Sequence, residues 1–175
     1  SGNEDNTTNI NSNNINTLGR AGIFIASQKN VLVSNNIISG VNSNLGNFTI
    51  QNSGILVTGT MVNGLIEKND ISNVQIASFW GCNGIQLSCT STSSNLVIAN
   101  NFIYNIAAGG FGSFDSVDDN GTGIAVDTGG GYIIEYNSIH LSTNQPSGGI
   151  TAAIWFSSSI PAGGVTLKNN IFFID

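Results

Sequence analysis

Three carboxylates, Asp115, Asp118 and Asp119, fall within five residues of a chain that has only ten acidic side chains. Oxygen donors at that density suit Ca2+, a hard cation that gathers several carboxylate and carbonyl oxygens. The spacing is not that of an EF-hand loop, and a solvated acidic loop is the plainer reading of the same residues. Aromatic rings gather nearby in sequence: Phe79 and Trp80 in one stretch, Phe111 and Phe114 in the next. Flat rings beside neutral polar groups suit stacking on sugar faces, and equally suit plugging a loop against its own core. Trp155 stands apart. It takes the outward position of an extended run, equivalent to Phe24 and Leu56, where binding and edge packing are both open.

Other catalytic arrangements are thin. Glycoside hydrolysis needs two carboxyl groups about 5–9.5 Å apart, whereas Asp118 and Asp119 are adjacent and free to diverge. His140 is the only histidine; between Ile139 and Leu141 it reads as an outward strand residue. The four cations, Arg20, Lys29, Lys68 and Lys168, lie on or beside extended runs, none in the acidic stretch. Glu67 and Asp70 flank Lys68 and read as surface pairs of little energetic worth. Cys82 and Cys89 bracket an extended run that holds them about 20 Å apart. That is too far for a disulfide, so both read as free, packed thiols.

The elements that position these residues are legible from a repeat. An apolar alternation, then Asn, then another apolar residue recurs along the chain. Its copies centre on Asn13, Asn36, Asn69, Asn101, Asn137 and Asn170. Val31-x-Val33-x-x-Asn36-x-Ile38 and Tyr132-x-Ile134-x-x-Asn137-x-Ile139 are examples. A second motif alternates with it: Gly22-Ile23-x-Ile25, Gly54-Ile55-x-Val57, Gly84-Ile85-x-Leu87, Gly123-Ile124-x-Val126 and Ala153-Ile154-x-Phe156. Strand residues two apart share a face. Like side chains therefore stack on one face of every coil and bury a column that no single coil could bury alone. The repeated Asn predicts a ladder, each amide bonding its equivalents above and below, because a buried amide needs such partners. The small residue that opens each short run suits a tight bend.

The fold expected is thus all-β, a right-handed single-stranded parallel β-helix of about five to six coils, forming one domain over residues 1–175. Ile66 must face inward, since shifting the register would bury Glu67 unpaired. An outward track follows: Leu32, Leu65, Val97, Ile133 and Thr166. It is either ordinary surface scatter or a stripe covered by a neighbouring coil or subunit. The turn from each Gly run to the next apolar run reads as short. The connections back to the Gly runs are long, at about residues 42–53, 75–83, 107–122 and 142–152. Insertions at one point of each repeat gather on one face, which is the expected binding face.

Composition sets limits on partners. The net charge is −6 and charged residues are only 8%, so no basic patch is available for nucleic acid. No apolar run is long enough to span a membrane. The polar opening Ser1-Gly2-Asn3-Glu4-Asp5, a partial first coil and a strand ending at Phe173-Ile174-Asp175 suggest an excised piece of a longer protein, or an end-to-end assembly.

Val33-Ser34-Asn35-Asn36-Ile37 and Leu167-Lys168-Asn169-Asn170-Ile171-Phe172, alternating with Gly-Ile-x-Val runs, resemble the parallel β-helix repeats of the pectate-lyase-like superfamily. Residues 136–141, leading to 169–172, also resemble β-helix segments of large secreted proteins of the Bacteroidetes type. The resemblance covers roughly residues 8–175 and implies export and an extracellular or cell-surface location. Lyases of that superfamily use a basic proton abstractor with acid-bound Ca2+. Its hydrolases carry Asn-Thr-Asp, Gly-His-Gly and Arg-Ile-Lys signatures, which this sequence lacks. The expectation is a non-catalytic scaffold or adhesin segment that contacts glycans through its long-loop face. A polysaccharide lyase or hydrolase is the first alternative, and a trimeric tailspike-like fibre is the second.

Overall fold

The structure is a computed structural model that describes residues 7–16, 19–42, 51–76, 80–109, 121–142 and 151–175. The chain winds through successive coils of three strands. The first holds β1 (Asn9–Asn11), β2 (Asn14–Asn16) and β3 (Ala21–Ala26), the second β4 (Lys29–Ser34), β5 (Ile37–Ser39) and β6 (Asn52–Gly59). The third holds β7 (Val62–Glu67), β8 (Asp70–Ile76) and β9 (Cys82–Cys89), the fourth β10 (Leu96–Ala99), β11 (Phe102–Ala108) and β12 (Gly121–Thr128). Then come β13 (Tyr132–Glu135), β14 (Ser138–Leu141) and β15 (Ala152–Phe156), and finally β16 (Val165–Lys168) and β17 (Ile171–Ile174).

Like strands pair parallel, one coil to the next. They form sheet A (β1-β4-β7-β10-β13-β16), sheet B (β2-β5-β8-β11-β14-β17) and sheet C (β3-β6-β9-β12-β15). The result is a parallel β-solenoid of about 4 turns. The five to six coils expected exceed that count slightly.

The apolar alternation works as anticipated. Ile38, Ile71, Ile103 and Ile139 stack in register inside sheet B, and Val33, Ile66, Ile98 and Ile134 inside sheet A. All eight are buried. Ile66 faces inward while Glu67 turns out beside Lys68, Oε2 to Nζ 3.2 Å. Asp70 does not join that pair. It opens the next strand, past the corner, and its Oδ1 is buried without a hydrogen-bond partner.

Each Asn-centred run is two strands, not one. They meet at a two-residue corner whose first residue is left-handed: Ser12, Asn35, Lys68, Asn100, Tyr136 and Asn169, with φ between 51° and 59°. Its second residue is the ladder Asn. Asn36 Nδ2 donates to Asn69 Oδ1 (2.9 Å), and the Asn36 backbone N–H donates to the same oxygen (3.0 Å). Asn36 Nδ2 also donates back to Ile10 O (2.9 Å). The pattern repeats at Asn69, Asn101 and Asn137, and reaches Asn13 at one end and Asn170 at the other. Each interior amide thus has its oxygen and both of its N–H groups engaged, which makes full burial of Asn36, Asn69, Asn101 and Asn137 tolerable.

The glycines of sheet C mark a break in strand alternation. Pairing steps over them, so Ser53↔Asn83 is followed by Ile55↔Ile85. A Cβ on Gly54 would strike the Ile71 side chain and lie 2.6 Å from Gly84 O in the next coil. Gly54 and Ile55 therefore both face the core, and only a residue without Cβ lets successive coils close up there.

One expectation about the turns fails. The links from sheet C to sheet A have two residues after β3 and β6, but residues 90–95 follow β9 and residues 157–164 follow β15. These longer links carry Ser, Thr, Gly and Pro, and the second closes on itself. The 157–164 link does so through Gly164 N–H to Pro161 O (2.8 Å), whereas the 90–95 link is tied to the next coil, Gly130 N–H donating to Ser91 O (3.0 Å).

Cys82 and Cys89 open and close β9, both free and both buried. Burial pushes both thiols above their ordinary 9.0, opposed at Cys82 by a hydrogen bond with the Asn52 backbone and at Cys89 by one with Tyr132. Burial likewise pushes up the Tyr132 hydroxyl, which donates to Thr128 O (2.7 Å). These groups stay protonated in the fold while their unfolded counterparts ionise from about pH 9 upward. Their stabilisation is complete below the unfolded pKa and is lost as pH climbs towards the folded one. Denaturation midpoints should hold steady from neutral pH to the thiol range. Above it, stability should fall by about 1.4 kcal/mol per pH unit for each group that ionises only on unfolding. Iodoacetamide should leave both thiols unlabelled until denaturant is added; rapid labelling of native protein would contradict this burial.

Candidate binding face

All the connections from sheet B to sheet C enter at one corner, along the leading edge of β3, β6, β9, β12 and β15. The outer surface of sheet C adjoins that edge. Its strands are parallel and in register, so outward side chains form columns across the coils. One column runs Phe24, Leu56, Gln86, Ala125, Trp155. A second runs Ser53, Asn83, Thr122.

The middle of this surface is polar and buried. Ser53, Asn83, Gln86 and Thr122 are each at most 4% exposed, although they point away from the core. Ser53, Asn83 and Gln86 are wired together. Ser53 Oγ donates to Gln86 Oε1 (2.9 Å), and Asn83 Nδ2 reaches the same oxygen at 3.5 Å. Gln86 Nε2 donates to Ser88 Oγ (3.3 Å), and Ser88 Oγ donates to Asp127 Oδ2 (3.0 Å). Neutral amides and hydroxyls thus run across three coils to a single half-buried carboxylate. The flanks are apolar, with Phe24 62% exposed and Trp155 half-buried.

The structure places the sequence-derived candidates unevenly. Trp155 lies on the outer face of sheet C, in the column that begins at Phe24, as expected. Trp80, just ahead of β9, is half-buried and packed against the core. Phe79, Phe111, Phe114, Asp115, Asp118 and Asp119 lie outside the described residues. Among the described residues, no three His, Cys, Asp or Glu side chains converge as a metal site. His140 points outward on β14, with Nε2 3.4 Å from Asp175 Oδ1 and its ring 5.1 Å from that of Phe173.

Two other surfaces are defined. The outward track of sheet A is continuous: Leu32↔Leu65, Leu65↔Val97, Val97↔Ile133 and Ile133↔Thr166 are register partners, and the four apolar residues are half-exposed. Beyond its edge lies a groove of about 370 Å³ lined by Thr92, Ser93, Asn95, Tyr132, Ile133 and Thr166, among others. Sequence reading missed this groove because the 90–95 and 157–164 links that wall it were taken for short turns. The buried Gln86 network was missed too. Its only signal was a polar residue at a position that is Phe, Leu, Ala or Trp in the other coils.

Comparisons with known protein families, with curated proteins and with solved structures returned no match. No helix among the described residues is long and apolar enough to cross a membrane.

Proposed function

We propose that this chain is a non-catalytic segment of an extracellular or cell-surface solenoid, a rigid scaffold or adhesin that meets glycans on the face beneath its long connections. The observation that carries the reading is the outer surface of sheet C. There the exposed ring of Phe24 and the half-exposed ring of Trp155 lie in one in-register column, beside a hydrogen-bonded network of buried amides and hydroxyls that holds the face rigid. Sugar rings stack their apolar faces on exposed aromatic side chains held on a rigid surface. The sequence resemblance to pectate-lyase-like repeats supports an extracellular setting on the same terms.

A panel of neutral and acidic polysaccharides, incubated with and without Ca2+, tests this. Retention of one of them with its chain length unchanged is the expected result. Trp155→Ala should then weaken binding about 2–10-fold, the loss of one aromatic contact. Shortened chains would replace the reading with that of a lyase or hydrolase. A trimeric fibre is the second reading, favoured by the in-register, half-exposed stripe of Leu32, Leu65, Val97 and Ile133. Leu65→Asp would break such a trimer into monomers.

A further inference from the structure

A second, outer column of asparagines runs along the start of sheet A, and it stops in the middle of the molecule. Asn30, Asn63 and Asn95 share one register position, each with a left-handed backbone (φ 50°, 52° and 48°). Asn95 Nδ2 donates to Asn63 Oδ1 (2.8 Å), and Asn63 Nδ2 reaches Asn30 Oδ1 at 3.5 Å. The next coil puts Gly131 at this position, with φ 75°, and the coil after it puts Gly164 there. No amide fits at Gly131, because a Cβ would lie 2.7 Å from Ser94 N in the 90–95 link. Asn95 Oδ1 therefore receives nothing among the described residues. Two successive coils present bare backbone where an amide would stand.

The hollow left there is the groove of about 370 Å³, walled by the 90–95 link on one side and by Gly163 of the 157–164 link on the other. Several hydroxyls of these links are spent on the fold. Ser94 Oγ donates to Gly130 O (2.7 Å), Ser91 Oγ accepts from Ser93 N–H (3.1 Å), and Ser159 Oγ donates to Asp127 O (2.9 Å). The hydroxyls that line the groove are not: those of Thr92, Ser93 and Thr166 are exposed and make no hydrogen bond among the described residues. Three hydroxyls and one amide oxygen thus share a concavity with the half-exposed side chain of Ile133. No carboxylate and no cationic group lines it.

We propose that this groove binds one uncharged sugar unit, a neutral mono- or disaccharide. Its volume lies in the range of small-molecule sites, about 300–1,000 Å³. Sugar hydroxyls both donate and accept, so they match Asn95 Oδ1, which only accepts, and protein hydroxyls, which do either. The C–H face of the ring covers Ile133. A divalent cation finds no carboxylate here, and an acidic sugar finds no cation to pair with, while the net charge of −6 repels it. The groove opens on sheet A, away from the outer face of sheet C. It is therefore a site separate from the face proposed above, and either can fail alone.

Amide NMR shifts of isotope-labelled protein decide it, followed during titration with glucose, galactose, mannose and N-acetylglucosamine, and with glucuronate and galacturonate. At least one neutral sugar should shift the amides of Ser93, Asn95, Gly131 and Gly163 and saturate at about millimolar concentration. The uronates should leave those amides in place. Thr166→Trp, at an exposed position, should fill the groove and weaken binding about tenfold or more, with the rest of the spectrum unchanged. Asn95→Gly keeps the left-handed backbone and should weaken binding about 2–10-fold, the loss of one hydrogen bond. Trp155→Ala should leave the groove shifts as they are. The proposal is overturned if no neutral sugar moves these amides, if the uronates move them as strongly, or if Thr166→Trp binds like the parent chain. Shifts confined to sheet C and lost with Trp155→Ala would also overturn it, while upholding the sheet C face.

Discussion

Asn101→Leu should lower the free energy of unfolding by about 3–5 kcal/mol, read as a shifted urea midpoint. The substitution keeps the size of the side chain roughly constant and removes only its hydrogen-bonding groups. Asn69 loses the acceptor of both its backbone N–H (3.1 Å) and its Nδ2 (2.9 Å). Ile66 O and Asn137 Oδ1 each lose a donor. All of this lies where water cannot substitute, since Asn69, Asn101 and Asn137 are at most 1% exposed. Each buried group stranded in this way costs about 1–3 kcal/mol, and the added apolar surface of leucine offsets part of the sum. Asn13→Leu is the control. Asn13 is exposed at the end of the ladder, so water serves its groups and the loss should be about 1 kcal/mol or less. Equal losses at the two positions would mean that the ladder adds nothing beyond its parts.

Gly84→Ala should cost about 3 kcal/mol, at the upper end of overpacking penalties. A Cβ at Gly84 would lie 2.6 Å from Gly123 O and strike the Ile103 side chain. The carbonyl belongs to the next coil, so relief means lifting one coil off another and stretching the β9–β12 pairing around it. The reverse change in the edge strand separates this steric cause from intrinsic propensity. Ala153 stands in the equivalent column of β15, beyond which sheet C has no further strand. Ala153→Gly should cost only the roughly 0.5–1 kcal/mol of added backbone freedom. A tolerated Gly84→Ala would mean that the coils have slack the structure does not display.

These two predictions rest on residues that the sequence itself exposes, and the reason is periodicity. Asn36, Asn69, Asn101 and Asn137 do the same job in each coil, so the same residue returns at the same place, and Ile66 against Glu67 then settles the register. The corner residues carry no comparable signal. Asn35, Asn100 and Asn169 suit a left-handed backbone, but Lys68 and Tyr136 adopt it as well. For that reason the corner inside each Asn run, and the strand boundary it makes, did not show in the sequence. The candidate site was legible only as a location. Its long connections differ in length and composition from coil to coil, so no repeat marks which of their residues act. Trp155 could be placed because it sits on a repeating strand. Gln86 could not, because its role depends on Ser53 and Ser88 reaching it through the fold.

The direction of the pairing has a mechanical consequence. Strand-to-strand hydrogen bonds join one coil to the next, so a pull on the two ends of the solenoid loads the coil boundaries in series. Within a boundary the three sheets and one ladder rung share the force; between boundaries nothing shares it. The boundary with least pairing yields first. The boundary joined by β7–β10, β8–β11 and β9–β12 has the most, with six register partners in each of the last two, so it holds longest. Under tension the molecule should shorten its rod one coil at a time from the outer coils inward, each step releasing a length of chain set by the residues in the coil that peels away.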